Sequence, residues 1–150
     1  TGTYAILGQS SFYGNEFLYL VGGDDLGHYG GANRGPNKSG LICNNANTSD
    51  PAVAALWYTL YSGINRANIF LGSYYYLQAE REKKKLEDDY KKITSPTRMQ
   101  YARYRNGLSD VYSNGYSKAK DYLQRVLQLF PSTEAGNTLE KIRKLEAEIK

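Results

Sequence analysis

The sequence predicts an all-α fold built from antiparallel helix pairs. Three observations lead there. Apolar residues recur at three-four spacing in at least four segments, the pattern of a helix with one buried stripe. No stretch sustains the alternation of a half-buried strand. The helical segments are separated by short breaks, and a short break folds the second helix back along the first. About five or six helices follow from this pattern.

The segment from Thr3 to Leu7 is apolar enough to be the tail of a helix, with Gly8 where a helix would stop. Phe12 to Val21 is a second helical run, with Phe12, Asn15, Glu16, Tyr19 and Leu20 at helical spacing. Gly22 to Ser49 differs in kind, with seven glycines and five asparagines in 28 residues and only Leu26, Leu41 and Ile42 as apolar anchors. It is a long loop, and by length and composition it is the expected place for a binding surface.

A central helix opens at Asp50-Pro51, an acceptor for the first amides followed by a residue that needs no donor. Val53, Leu56, Trp57, Leu60, Tyr61, Ile64, Ala67 and Leu71 then fall on one stripe, expected to face a core. Asn68 shares that stripe and should be buried and paired. Tyr58 lies off it. Tyr74-Tyr75-Tyr76 closes this helix or opens its continuation, and three consecutive tyrosines cannot all point inward.

From Gln78 the composition changes. Glu80 to Lys92 carries eleven charges in thirteen residues, with Leu86, Tyr90 and Ile93 as a thin stripe, the pattern of a helix standing in solvent. Thr94-Ser95-Pro96 ends it. Arg98 to Ser113 places Tyr101, Tyr104, Leu108, Val111 and Tyr112 on one face, and Tyr116 to Phe130 repeats the design with Tyr116, Ala119, Leu123, Val126, Leu127 and Phe130. Asn114-Gly115 between them predicts a break and hence an antiparallel hairpin. A last helix, Thr133 to Ile149, has Leu139, Ile142, Leu145 and Ile149 inside. These elements divide the chain into residues 1–77, with the 22–49 loop, and residues 78–150.

Gly107, Ala119 and Pro131 stand twelve residues apart with Tyr116 three before Ala119, which is similar to one tetratricopeptide repeat. Asp110 departs from that pattern, since an aromatic usually stands there. The resemblance implies helix pairs of tetratricopeptide type, with the last helix as the start of another repeat or a polar cap.

The net charge is +4, with three basic and four acidic side chains before residue 78 and sixteen and eleven from there on. The basic excess sits among alternating signs on helical segments, a solvated face rather than a nucleic-acid surface. No apolar run approaches the roughly 20 residues that cross a bilayer. His28 and Cys43 have nothing to orient them as a catalytic pair, so no catalytic residue is assigned. Asp24 and Asp25 beside Gly22-Gly23 offer oxygens to a cation or bond their own backbone in a turn, the second being the ordinary case. Zinc spacing and a phosphate loop are absent, and no cofactor is expected.

Trp57, Tyr61, Ile64, Arg66, Ala67 and Asn68, with Gly22-Gly23-Asp24-Asp25 before them, resemble the first helical region of the SusD/RagB family of Bacteroidetes outer-membrane lipoproteins. The resemblance runs from about Tyr4 to Leu77. It implies a non-enzymatic glycan-binding protein on the outer face of the outer membrane, held by a lipid anchor not in this sequence. Its ligand would be an oligosaccharide or polysaccharide, handed to a SusC-type TonB-dependent transporter. Such a parent is longer than this chain. The candidate ligand contacts are Tyr29, Tyr58, Tyr74, Tyr75, Asp24 and Asp25. The competing expectation is a helical-repeat scaffold that binds protein segments in a groove lined by Tyr101, Tyr104 and Tyr112.

Overall fold

The computed structural model describes Gly2, residues 4–9 and residues 51–149. Among them the fold is all-α, as expected. Tyr4–Gly8 is a short 3-10 helix, followed by α1 (Pro51–Lys91), α2 (Arg98–Val111), a π-helical turn (Tyr112–Tyr116), α3 (Ser117–Leu129) and α4 (Thr133–Ile149). The chain forms two compact units, residues 1–66 and 67–150. The Phe12–Val21 helix and the Gly22–Ser49 loop lie outside the described residues.

In the first unit, the N-terminal segment packs against α1. Ile6 is buried, and its Cγ2 lies 3.2 Å from where a Cβ on Gly63 would stand. Arg66 Nη1 donates to the Gly2 carbonyl at 3.1 Å. The side of α1 that packs is therefore the one with Thr59 and Gly63. Trp57 is 55% exposed, and Leu60, Tyr61 and Ile64 are also exposed, so this stretch of the expected core stripe faces outward. The apolar periodicity is real, but periodicity reports a face suited to burial and says nothing about whether anything lies on it. Asn68, at the start of the second unit, is buried as expected.

In the second unit, α1 continues without interruption through Gly72-Ser73 and past Gln78 to Lys91. Its contacts run antiparallel to the next helical segment. Gly72 meets Leu123, Ala79 meets Gly115, and Leu86 meets Gly107. As numbers rise on one side they fall on the other. Each of these contacts sets a small residue against its neighbour, so the axes approach closely. Gly72 costs about 1 kcal/mol of helix propensity relative to alanine, which the close packing of Leu123 offsets. The charged stretch is not a free-standing helix. Leu86 and Tyr90 are half-buried within it, and the Tyr90 ring stacks on Tyr104 with centroids 4.3 Å apart.

The hairpin turn lies at residues 92–97 rather than at Asn114-Gly115. Thr97 caps α2 reciprocally: its hydroxyl accepts from Gln100 N–H at 3.3 Å, while Gln100 Oε1 accepts from Thr97 N–H at 2.9 Å. Asn114-Gly115 sits instead inside the π turn, and the helix runs on from Arg98 to Leu129. The Ser117 N–H donates to Tyr112 C=O, five residues back. Val111, Gly115, Ala119 and Leu123 are buried at intervals of four. On a regular helix each such step drifts by about 40°, and a turn closed five residues back absorbs an added residue and returns the stripe to the seam. The helix break implied by Asn-Gly is therefore overridden by packing. Antiparallel pairing is retained, between α1 and the segment from α2 to α3, and again between α3 and α4.

The second pairing turns at Phe130-Pro131-Ser132. Phe130 is extended, as a residue before proline prefers. Ser132 Oγ then accepts from Ala135 N–H at 3.3 Å at the start of α4. The core of this unit joins Ala79, Val111, Tyr116, Ala119, Leu123, Val126, Ala135, Leu139 and Ile142. The faces anticipated for residues 98–130 and 133–149 account for most of it. Tyr101 and Leu127 are the exceptions and are exposed.

Candidate interaction surface

The polar side chains inside the second unit are engaged with one another. The Tyr116 hydroxyl, on a ring that is 1% exposed, donates to Glu80 Oε1 at 2.6 Å. Burial first, and then the bond to Glu80, push the Tyr116 phenol well above its usual range. Tyr76 is raised as well, by burial first, then by the nearby Glu80 charge and its hydrogen bond. Burial and a hydrogen bond to Glu146 push Tyr112 up to about 12. Glu146 also pairs with Lys120 at 3.1 Å, tying α4 to α3. These groups hold neutral tyrosines in place and present no open reacting centre.

The groove that a helical-repeat scaffold would line with Tyr101, Tyr104 and Tyr112 does not form. Tyr104 stacks on Tyr90, Tyr101 tilts against the same ring at 6.4 Å, and Tyr112 is turned to Glu146 and Tyr116. Among the described residues no group of three His, Cys, Asp or Glu side chains could hold a metal. None of the described helices is long and apolar enough to cross a membrane.

Of the residues expected to touch ligand, Tyr29, Asp24 and Asp25 lie outside the described residues. Tyr58 is exposed in the first unit. Tyr74 and Tyr75 are in the second, edge to face at 5.5 Å. They have different roles. Tyr75 stacks on Tyr122 with ring planes 2° apart, and Lys118 and Arg125 each lie 5.6 Å over one ring of the pair, which closes its faces. Tyr74 remains exposed, so the tyrosine triplet does place one ring outside.

Among the described residues, two exposed apolar surfaces on α1 stand out. In the first unit, Trp57 stacks on Tyr61 with centroids 5.1 Å apart and planes 14° apart, beside exposed Ile64. In the second, Phe70, Tyr74 and Leu77 are 61%, 54% and 54% exposed. Their i, i+4, i+7 spacing makes a ridge along α1, turned away from the seam of Gly72, Ala79 and Leu86. Sequence reading overlooked Phe70 and Leu77 because it followed a single stripe. A second apolar periodicity on the opposite side of the same helix was the available signal.

Among solved structures, the chain is similar to a crystal structure from Bacteroides ovatus described as a candidate protein binding protein. The two are 45% identical with a TM-score of 0.55, over 78% of this chain and 61% of that one. This chain thus spans less than two thirds of that structure's length. No protein-family model and no curated protein matches the sequence.

Proposed function

We propose that the chain is a non-enzymatic helical module that binds a protein partner through the outer face of α1. The observation that carries this is the ridge of Phe70, Tyr74 and Leu77, three large apolar side chains exposed in line on a helix whose opposite face is already packed. A contiguous apolar surface of this kind marks an interaction site more often than an isolated exposed residue does. The similarity to a Bacteroides ovatus structure described as a candidate protein binding protein supports the reading. A photo-reactive amino acid in place of Tyr74, in the protein expressed in the cells that make it, should cross-link to a discrete protein. The same group in place of exposed Glu140 on α4 should not. Equal labelling from both positions would refute the proposal.

A second reading, glycan capture by a SusD-like lipoprotein at the outer membrane beside a TonB-dependent transporter, rests on the outward-facing Trp57–Tyr61 pair. Flat aromatic surface suits a sugar face. It is further supported by the resemblance of Trp57 to Asn68 to that family. Trp57 is the chain's single tryptophan, so its fluorescence reports directly. Oligosaccharide titration should shift that emission and should give no binding heat with Trp57→Ala. An unchanged spectrum at saturating glycan rejects this reading and leaves the first intact.

A further inference from the structure

We propose that the face of α1 from Phe70 to Lys85 docks an antiparallel amphipathic helix that is acidic in its first turns, an inference that rests on the protein-binding reading above. Beyond Leu77 the apolar ridge gives way to exposed Arg81, Lys84 and Lys85, and Asp88 ends the basic stretch. Two of the nearby carboxylates are engaged by neutral donors rather than by these cations. Glu80 accepts from Tyr116 inside the bundle, and Glu82 accepts from Gln78 at 3.0 Å. Arg81 and Lys84 make no ion pair among the described residues, while Lys85 feels Asp89 one turn on.

The surface is therefore polarised along the helix axis, apolar at one end and basic at the other. Phe70 to Lys85 spans about 22 Å, the length of a four-turn helix. Three apolar side chains at i, i+4, i+7 form a ridge that a second helix receives between its own rows of side chains. An antiparallel partner brings its N-terminal turns beside Arg81, Lys84 and Lys85. Carboxylates there answer the basic groups and also suit the positive end of the partner's own dipole. A membrane surface fits less well. Interfacial helices carry cations along both flanks of a broad apolar face, whereas here the cations follow the ridge in line.

The test is selection of displayed helical peptides on the full chain, with leucine and alanine kept on one face and all other positions randomised. Enriched peptides should carry Asp or Glu in their first two turns. The double variant Arg81→Glu, Lys84→Glu should bind them about tenfold more weakly, because each exposed pair contributes little alone. Tyr74→Ala should weaken binding similarly. All three positions are exposed, so circular dichroism should show the fold unchanged. Enrichment of neutral or basic peptides, indifference to the charge reversal, or no enrichment overturns the proposal. If Tyr74 matters and the charges do not, the protein-binding reading survives without the acidic helix. If position 74 also fails to cross-link in cells, both fall. Self-association abolished by Tyr74→Asp would identify a second copy as the occupant. Binding to phosphatidylglycerol vesicles abolished by the same variants would identify a membrane. Either result overturns the proposal.

Discussion

Tyr116 and Gly115 are adjacent residues whose buried atoms set opposite demands on substitution. Tyr116→Phe keeps the ring and removes the donor to Glu80, so it should cost about 2 kcal/mol, the scale of a hydrogen bond to a charged acceptor. Urea unfolding measures this, and an unchanged midpoint would mean that Glu80 repartners at no cost. The tyrosines with raised phenols also fix a pH dependence. Tyr76, Tyr104, Tyr112 and Tyr116 all lie above the ordinary 10.0, so the folded state holds protons that the unfolded chain releases first. Their contribution is complete below pH 10 and is lost as pH rises from there, through about 12 in the case of Tyr112. Unfolding midpoints should therefore fall between pH 10 and 12, and less steeply in Tyr112→Phe. Gly115 has no room for a methyl group, since a Cβ there would lie 2.5 Å from the Ala79 Cβ. Gly115→Ala should destabilise despite alanine's better helix propensity, and Ala79→Gly in the same molecule should recover part of the loss. Additive losses in the double variant would show that the two residues do not meet.

At the scale of elements, the π turn and the first half of α1 show what local sequence carries and what it does not. Asn-Gly is a turn signal in isolation, yet here it lies within 32 residues of continuous helix, because the buried positions on either side must stay on one seam. Deleting exposed Asn114 should remove the added residue, leave a regular helix and keep both seams aligned. Inserting an alanine after it should misalign them and lower the unfolding midpoint clearly. If the deletion is the more damaging, the π turn is not an accommodation of register. Trp57 teaches the complementary point. Its stripe was legible in the sequence, but burial depends on a covering surface that no spacing reports. Trp57→Ala should thus cost only about 1 kcal/mol or less, the scale of one exposed aromatic contact, rather than the 3–5 kcal/mol of a core tryptophan. A loss on the larger scale would show that Trp57 is buried in solution.

For the whole molecule, the faces of Tyr104, Val111, Ala119, Leu123, Val126, Leu139 and Ile142 were legible because one covered side repeats through each helix. The pairing of Leu86 and Tyr90 with Gly107 and Tyr104 was not, since eleven charges hide a seam that needs only every third or fourth position. All nine residues of the main core fall within 67–150. The caps at Thr97 and Ser132, the Tyr116–Glu80 bond and the Lys120–Glu146 pair fall there as well. A unit with its own core, caps and polar pairs should fold without the rest. Starting the chain at Ala67 removes helix hydrogen bonds from the first turn of the shortened α1, which frays locally, while the seam from Gly72 onward is kept. The 67–150 fragment should therefore be helical by circular dichroism, unfold in one cooperative transition, and retain the alkaline loss of stability carried by Tyr112 and Tyr116. A broad, non-cooperative melt of the fragment beside a sharp transition of the full chain would mean that residues 1–66 supply part of the stability assigned here to the nine-residue core.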